Sequence, residues 1–276
     1  IDGRTKFLPF NVATILPAMF LGIPVIKFAQ AMGPFKNSLN KLGANLILKR
    51  CKFIFARGEE SLSHLDSIFK HRYFHQHADD IAFLFKPIYC LSEAECDVTF
   101  KIQQLTQLSS QKKVVGICPS SVIINQGANS SEYYLSVMSE FVRKILSSGH
   151  AVALFPNATR GSHPKKTHNN DLPLIRQLIM TLKYDTSFGQ LIVFDDPLNS
   201  QQIHQIIQKC NVLVTSRFHV MVSGLTSLKP VLVLGWSHKY LEVMRMFSQE
   251  DMVLDHTQAG VTLMNNMTNQ LLEEQI

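Results

Sequence analysis

The sequence has few cysteines, few charged residues and no apolar run long enough for a membrane span. Its 276 residues include five cysteines and one tryptophan, and 17% are charged. The cysteines are odd in number, form no C-x-x-C pair, and stand at positions 51, 90, 96, 118 and 210. This spacing argues against a disulfide framework or a zinc site and predicts a reduced, cytoplasmic setting. The longest apolar run, residues 12–26, is interrupted by Pro17 and Pro24 and is too short to cross a bilayer.

Several well-known signatures are also absent. The chain has no G-x-G-x-x-G, no G-x-x-x-x-G-K-[ST], no G-x-S-x-G and no H-E-x-x-H. A dinucleotide fingerprint, a P-loop, a nucleophile elbow and a zincin motif are therefore not predicted. The net charge of +6 comes with no Lys/Arg stripe interleaved with aromatics, so nucleic acid is not an expected partner. A small anionic substrate is favoured instead.

The hydrophobic content, 46%, excludes disorder and a coiled coil. In the C-terminal half, continuously apolar runs alternate with segments of helical period. This pattern is typical of a parallel sheet covered on both faces, as in a Rossmann-like α/β domain. The predicted strands are 114–118, 151–155, 191–194, 211–215, 231–234 and 252–254. The predicted helices are 132–146, 172–182, 200–209, 220–227 and 240–247.

The N-terminal half repeats the alternation in a shorter span. Helices are predicted at 12–21, 38–50 and 59–69, and strands at 24–28, 53–55 and 80–85. Polar, pattern-poor sequence from 92 to 112 is expected to separate the halves. We therefore predict a Rossmann-like domain over residues 1–95, incomplete because it is short and lacks an initial Met, and a second over 112–276.

The strongest chemical candidate is the segment that ends the strand 211–215, because Arg217 and His219 follow it directly. Ligands of open parallel sheets bind beyond the carboxyl ends of strands. In extended geometry residues two apart point the same way, so both side chains are predicted to face one pocket. Arginine clamps carboxylate or phosphate, and histidine exchanges a proton near neutral pH. A structural histidine beside a solvent-facing arginine is the alternative.

Other polar residues are secondary candidates. Asn157, Arg160 and His163 follow the strand 151–155 and are predicted to border the same site, against the alternative of an ordinary polar loop. Asn125 is a similar, weaker candidate. The segment Asn169-Asn170-Asp171 is interpreted as a helix cap, because Asp171 directly precedes an apolar run and aspartate is a good N-cap. The histidine cluster 71–77 is interpreted as a surface loop rather than a metal site, because no carboxylate or cysteine partner stands at ligand spacing.

Four segments, in order, resemble the polysaccharide pyruvyl transferase family. Residues 216–239, SRFHVMVSGLTSLKPVLVLGWSHK, are similar to its R-x-H frame followed by a small-residue helix, a turn, a strand and a lysine. Residues 22–34, GIPVIKFAQAMGP, resemble its G-x-P and Q-x-x-G-P segment. Residues 55–61, FARGEES, resemble R-[DE]-x-x-S, and residues 78–84, ADDIAFL, resemble a D-x-A-F strand.

The resemblance implies two Rossmann-like domains in a GT-B-like arrangement with an active site in the interdomain cleft. It implies transfer of a pyruvyl group from phosphoenolpyruvate to hydroxyls of a sugar in a polysaccharide or glycan precursor of the cell envelope, without a cofactor or metal. Arg57, Arg217, His219 and Lys239 match the family's functional residues. His219 is the expected acid or base, the two arginines would hold the donor's carboxylate and phosphate, and Lys239 would neutralise the departing phosphate.

The sequence also departs from the family pattern. Gly58 stands where the family usually has an acidic residue, and Thr215-Ser216 replaces a common glycine. Family members start with one or two further β-α units, so the first domain is expected to be truncated here. A GT-B-type glycosyltransferase that uses a nucleotide sugar, and a non-catalytic relative, remain the alternatives. The acceptor sugar and the oligomeric state are not predicted.

Overall fold

The computed structural model describes residues 8–69, 75–88, 96–124, 131–160, 169–182 and 189–274. Within these ranges the chain divides into two compact units, residues 1–84 and 85–276. Both contain parallel β-sheet, which confirms the predicted α/β class. No helix of the described part is long and apolar enough to cross a membrane.

The described part of the first unit contains a three-stranded sheet in the order β1-β2-β3 with helices between the strands. Its elements are α1 (Leu8–Phe20), β1 (Ile26–Gln30), α2 (Ser38–Leu48), β2 (Phe53–Arg57), α3 (Glu59–Phe69) and β3 (His75–Ala78). Both strand pairs are parallel. Ile54 and Ala56 of β2 point into a small core with Leu65 and Phe69 of α3. Strand β2 is the central strand of this sheet, and Arg57 is the residue at its carboxyl end.

The second unit is larger and has a six-stranded, all-parallel sheet among its described residues. Its strands are β4 (Val114–Cys118), β5 (Ala151–Leu154), β6 (Leu191–Val193), β7 (Val212–Thr215), β8 (Val231–Gly235) and β9 (Val253–Asp255). The order is β6-β5-β4-β7-β8-β9. The central strands are buried along their whole length, as continuously apolar strands covered on both faces must be.

Helices cover this sheet on both faces. They are α4 (Cys96–Ser109), α5 (Ser121–Ile124), α6 (Ser131–Ser147), α7 (Leu172–Leu182), α8 (Ser200–Lys209), α9 (Phe218–Thr226), α10 (His238–Met246) and α11 (Val261–Glu273). One group, α6, α7 and α11, packs together, and another comprises α4, α8 and α9. Helix α6 buries Met138, Phe141, Val142 and Ile145, a 3–4-residue spacing that places one apolar face on the sheet.

Local sequence accounts for the start of several helices. In α8, Asn199 and Gln202 form a reciprocal capping box, and the buried Ile203, Ile206 and Ile207 form the inner face. In α2, the side chain of Asn37 accepts a hydrogen bond from the backbone N–H of Leu39. Helix boundaries predicted from the periodicity therefore agree within a few residues wherever both a cap and an apolar stripe are present.

Two interpretations of the sequence are wrong in detail, and one helix has no counterpart among the predictions. The segment predicted as a strand, 80–85, contains a 3₁₀ helix at Ile81–Leu84, and the strand beside β2 is His75–Ala78. The segment 92–112 contains the 14-residue helix α4, which belongs to the second unit. Helix α11 was not predicted. In α11 the buried residues Met264, Thr268 and Leu271 recur at helical spacing, so the sequence does contain a signal for this helix.

Candidate active site

The functional candidates of the second unit lie where the sheet changes its direction of winding. From β4 the chain adds β5 and β6 on one side, and β7, β8 and β9 on the other. Connections leave the carboxyl ends of β4 and β7 in opposite directions, which opens a crevice at the point where such sheets bind ligands. Ser120 and Ser121 follow β4, and Ser216 and Arg217 follow β7. The predicted R-x-H segment is therefore at the topological switch point.

Arg217 is buried, and its guanidinium binds another protein side chain. The residue is extended (φ −106°, ψ 121°) and stands at the N-cap of α9. Its Nε donates to Oδ2 of Asp171 at 2.9 Å, and its Nη2 donates to Oδ1 of the same carboxylate. Nη1 donates to Oδ1 of Asn169 at 2.6 Å, and Nη2 also reaches Oγ of Ser121 at 3.3 Å. The bidentate edge predicted to hold a substrate carboxylate holds Asp171 instead.

Asp171 is fully buried and joins three segments at the carboxyl edge of the sheet. Its Oδ1 accepts the backbone N–H of Ser121 at 3.0 Å, after β4. Its Oδ2 accepts the N–H groups of Asn157 at 3.3 Å and Ala158 at 2.9 Å, after β5. With Arg217 after β7, one carboxylate therefore organises the ends of three neighbouring strands. A charged carboxylate that is out of water needs this number of donors.

The interpretation of Asp171 as a helix cap is wrong for its side chain. The carboxylate turns away from α7 toward the strand ends, and Oδ1 of Asn170 instead accepts the N–H of Leu172 at 3.3 Å. The rule that places Asp before an apolar helix considers only local partners. Here a buried cation 46 residues away outweighs the local preference, because an arginine cannot be buried without an acceptor.

The Thr215-Ser216 pair, where the family often has glycine, has a role in the turn before Arg217. Oγ1 of Thr215 donates to the carbonyl of Cys118 at 3.2 Å and accepts the N–H of Arg217 at 3.0 Å. The N–H of Ser216 also donates to the carbonyl of Cys118, at 3.1 Å. The turn is thereby fixed to the end of β4. Burial, followed by the nearby Asp171 carboxylate, raises the pKa of the Cys118 thiol well above its usual value.

Three aromatic side chains lie within hydrogen-bonding distance of Ser216. The hydroxyl of Tyr240 donates to the Ser216 carbonyl at 2.8 Å, and Nε1 of Trp236 donates to the same oxygen at 3.3 Å. The hydroxyl of Tyr134 lies 3.4 Å from Oγ of Ser216. Burial raises the pKa of Tyr134 to about 12 and also raises the pKa of Tyr240. Both phenols are therefore neutral at physiological pH and act as hydrogen-bonding groups.

His219 lies in a different environment from Arg217. Helix α9 begins at Phe218, so the alternation rule for extended chain does not reach His219. Arg217 is buried and His219 is exposed. The imidazole packs edge to face against the ring of Phe218, with centroids 5.7 Å apart. An exposed imidazole in the first turn of a helix at a strand end is accessible to a ligand in the crevice.

Lys239 lies in the first turn of α10. Its ammonium nitrogen is 4.6 Å from the ring centroid of Trp236 and 5.0 Å from that of Phe218. Tyr240 is the third ring, at 5.3 Å. These are cation–π distances, and they place the lysine beside the helix that carries His219.

The secondary candidates are only partly brought to this site. The backbone N–H of Asn157 donates to Asp171, so the loop after β5 is held to the carboxylate that also binds Arg217. Arg160 is exposed on the same loop, and no role is apparent from its contacts. His163 and Asn125 lie outside the described residues, so their predicted positions stay predictions.

In the first unit, Arg57 stands at the carboxyl end of β2 and pairs with a carboxylate from the end of β3. Its Nη1 donates to Oδ2 of Asp80 at 2.5 Å. The Asp80 side chain is 4% exposed, whereas that of Arg57 is 24% exposed. Oδ1 of Asp80 also accepts the N–H of Ala82 at 2.9 Å, which starts the 3₁₀ helix in the D-x-A-F segment. The Asp of that segment is thus a partner of the predicted functional arginine.

Two glycines of the first unit have positions that a side chain would not tolerate. Gly58 has φ +78°, which explains a glycine where an acidic residue is usual in the family. Gly33 has φ +82°, and a Cβ there would lie 2.3 Å from the ring of His64. The neighbouring N–H of Met32 donates to Oγ of Ser61 at 3.0 Å. The Q-x-x-G-P turn and the R-x-x-x-S segment are therefore bound to each other.

The histidine cluster is partly strand rather than loop. His75 and His77 belong to β3, and Nε2 of the buried His75 lies 2.7 Å from Oδ1 of Asp66. His71 lies outside the described residues. Among the described residues, no group of three histidine, cysteine or carboxylate side chains is placed to hold a metal ion.

Comparison with known proteins identifies the family. The model of the polysaccharide pyruvyl transferase family matches residues 3–238. The chain belongs to the polysaccharide pyruvyl transferase family. The matched region contains Arg57, Arg217 and His219, and Lys239 follows its last residue directly. The comparison with curated proteins finds no significant match.

Solved structures show the fold that this pyruvyl transferase family member shares. The chain is similar to Staphylococcus aureus MnaA in its co-structure with UDP (14% identity, TM-score 0.58), covering 93% of this chain and 62% of that one. It is also similar to UDP-GlcNAc 2-epimerase of Neisseria meningitidis bound to UDP-GlcNAc (13%, TM-score 0.54), covering 95% and 65%. It is similar as well to Escherichia coli ADP-heptose LPS heptosyltransferase II (16% identity, TM-score 0.50), covering 88% of this chain and 75% of that one. These neighbours are GT-B-like α/β proteins, and the chain spans less than two thirds of the first two.

Sequence reasoning missed several residues that build the site. The sequence predicts Asp171 only as a cap, and it gives no functional signal for Ser121, Tyr134 or Tyr240. A buried arginine requires an acidic partner, which is a usable signal, but the sequence offers no way to choose an acid that stands 46 positions away. Tyr134 and Tyr240 each belong to an amphipathic helix, and nothing in their spacing separates them from ordinary core aromatics.

Proposed function

We propose that this member of the polysaccharide pyruvyl transferase family transfers a pyruvyl group from phosphoenolpyruvate to two hydroxyls of a sugar, forming a cyclic ketal. The observation that carries the proposal is the R-x-H segment, which lies inside the matched family region and at the topological switch point. A histidine exposed at that point, with an ammonium group nearby, suits a small substrate with two anionic groups.

The proposed chemistry balances without an added oxidant or reductant. A proton adds to the methylene carbon of phosphoenolpyruvate, and positive charge develops at the adjacent carbon. One sugar hydroxyl attacks that carbon and loses its proton, and the bond from carbon to the phosphate oxygen breaks. The second hydroxyl attacks in the same way, so the products are the pyruvate ketal and inorganic phosphate. The protein must supply a proton donor and acceptor, and cations for the phosphate and carboxylate.

His219 is assigned the proton transfer, because imidazole serves as acid and base near neutral pH and this ring is exposed. Lys239 is assigned to the developing charge on phosphate. Arg217 is assigned to the frame of the site, since its bidentate edge binds Asp171. Asn157, Arg160 and His163 are proposed to border the substrate. Arg57 is proposed to bind an anionic group of the donor, and its partial exposure is compatible with this role.

The direct test combines the purified protein with phosphoenolpyruvate and a panel of galactose-, mannose- and glucose-containing acceptors. Phosphate release that depends on acceptor, together with a ketal-bearing product detected by mass spectrometry, is the expected result. The matched control is His219→Ala, which should bind phosphoenolpyruvate without turnover. Absence of phosphate release with every acceptor, and of any thermal shift with phosphoenolpyruvate, would contradict the proposal.

Adding UDP and UDP-GlcNAc to the ligands separates the alternative functions. A thermal shift with UDP-GlcNAc or UDP, combined with no response to phosphoenolpyruvate, would indicate a nucleotide-sugar enzyme. A response to neither class of ligand in a folded protein would indicate a non-catalytic relative. The measurement requires only a ligand series and a dye-based melting curve, so both outcomes are readily distinguished.

A further inference from the structure

Three aromatic side chains surround the ammonium group of Lys239. We call Phe218, Trp236 and Tyr240 the aromatic box. The Lys239 nitrogen lies 5.0, 4.6 and 5.3 Å from their respective ring centroids. A single aromatic face near a lysine is common, but three converging faces form a built environment for a cation.

Hydrogen bonds fix the walls of the aromatic box. The Tyr240 hydroxyl and Nε1 of Trp236 both donate to the carbonyl oxygen of Ser216. The rings of Trp236 and Tyr240 meet at an interplanar angle of 67° with centroids 5.8 Å apart. Phe218 and Tyr240 meet at 70° and 5.8 Å. Edge-to-face packing and two polar anchors leave these rings little freedom, so the position they offer a cation is preorganised.

Phe218 also links Lys239 to His219. The Phe218 ring lies under the Lys239 ammonium and packs edge to face against the His219 imidazole, at 82°. Two residues that are 20 positions apart in sequence are thus placed around one ring. A lysine on its flexible four-carbon stem does not hold such a position by itself, because many rotamers compete.

We propose that the aromatic box positions the Lys239 ammonium beside His219, so that both groups meet the same small phosphate- and carboxylate-bearing substrate. Phe218, Trp236 and Tyr240 are positioning residues that act through Lys239 and do not touch the reacting atoms. This role rests on the proposed function for its substrate, whereas the geometry of the aromatic box can be tested without one.

The first experiment uses the single tryptophan of the chain, Trp236. Its emission spectrum reports the aromatic box directly. Lys239→Met is expected to change the emission maximum and the acrylamide quenching rate, because the cation over the indole is lost. Lys239→Arg, which keeps a cation, is expected to restore most of the wild-type signal. Lys144→Met, on the exposed face of α6, is the matched control and should leave the emission unchanged.

The second experiment separates positioning from folding. Trp236→Phe keeps a ring at the position and Trp236→Leu removes it. Trp236→Leu is expected to lower kcat on the order of tenfold, with the KM for phosphoenolpyruvate much less affected, because losing a cation–π contact of ordinary strength displaces the lysine assigned to the charge that develops on phosphate. Trp236→Phe is expected to stay close to wild type. Melting temperatures of both variants show whether any change reflects stability alone.

The outcomes distinguish this proposal from the proposed function. Unchanged Trp236 emission in Lys239→Met, or equal kcat values in Trp236→Leu and Trp236→Phe, would overturn the role of the aromatic box. A different outcome is that Lys239→Met changes the emission while the wild-type protein binds no phosphoenolpyruvate. This result would support the aromatic box as the group that positions the Lys239 side chain. That second result would overturn the assigned substrate and with it the shared binding by Lys239 and His219.

Discussion

Arg217 and Asp171 form a buried, bidentate ion pair across the switch point of the second sheet. Two guanidinium nitrogens of Arg217, Nε and Nη2, bind the two carboxylate oxygens of Asp171, and neither side chain has substantial contact with solvent. The same carboxylate accepts backbone N–H groups from the loops after β4 and β5. The arginine of the R-x-H motif therefore belongs to the framework that aligns three strand ends, and His219 is presented from that framework.

Removing one partner of this pair is expected to destabilise the second unit strongly. Arg217→Met leaves the Asp171 charge buried with backbone donors only, at a cost of about 3–5 kcal/mol. Adding Asp171→Asn removes that charge, so the double variant is expected to be less destabilised than the sum of the single variants. The measurement is a urea titration followed by Trp236 fluorescence, which reports this unit. Strict additivity would show that the two residues do not interact.

Arg217→Lys tests the geometry of the pair rather than its charge. A lysine keeps a positive group near Asp171 but makes no planar fork, so we expect partial loss of stability and loss of turnover. Phosphate release and the urea midpoint are measured on the same preparation. Wild-type activity in this variant would mean that two parallel hydrogen bonds are not needed to present His219.

Asp171→Asn is expected to loosen the loops after β4 and β5 while the sheet stays intact. The backbone N–H groups of Ser121 and Ala158 donate to Asp171, and a neutral amide is a weaker acceptor than a carboxylate. Hydrogen exchange should become faster at these two amides. Exchange at the central strand residue Val214 should change much less. Equal acceleration at all three sites would indicate general destabilisation rather than a local organising role.

His219→Ala is expected to abolish turnover and to leave the melting temperature almost unchanged. The side chain is exposed, and substitutions of exposed residues usually cost little stability. Phosphate release and thermal melting provide the two measurements. A fully active variant would remove His219 from the proton-transfer role, and a large drop in melting temperature would instead indicate a structural histidine.

The sequence pattern predicted most of the second unit because its elements are amphipathic or continuously apolar. The segments 114–118 and 172–182 were predicted with the observed bounds of β4 and α7. The failures have a common physical cause. In helix α4 the apolar residues do not form a clean stripe, since Phe100 is exposed, and β3, with the sequence HQHA, has none of the β-branched residues that mark a strand. These elements form because neighbouring elements provide packing and hydrogen bonds, which a local window does not contain.

The site was predicted less completely than the fold. Chain order places Arg217 and His219 at a strand end, and this position is correct. Their orientation depends on where α9 begins, and a shift of one or two residues reverses the expected direction of a side chain. The pairing of Arg217 with Asp171, and of Arg57 with Asp80, depends on contacts between distant segments. Such contacts follow from the folded topology and are invisible to spacing rules.

The buried phenol of Tyr134 is expected to give the second unit a specific sensitivity to alkaline pH. An unfolded tyrosine has a pKa of about 10, whereas burial raises the pKa of Tyr134 to about 12. Below the unfolded value both states are protonated, so this group adds no pH dependence. Between these two pKa values only the unfolded state releases the proton, and stability falls by up to about 1.4 kcal/mol per pH unit.

Tyr134→Phe should therefore flatten the alkaline limb of the stability profile, because phenylalanine has no proton to release. Tyr133→Phe is the matched control, because Tyr133 directly precedes Tyr134 in the chain and is 47% exposed. Urea midpoints, followed by Trp236 fluorescence from pH 8 upward, give the comparison, and the difference between variants cancels contributions from Tyr240, Cys118 and other groups. If both variants lost stability with the same slope as wild type, proton release from Tyr134 would not be linked to unfolding. A flatter slope in Tyr134→Phe alone would show that the hydroxyl beside Ser216 is kept neutral by burial.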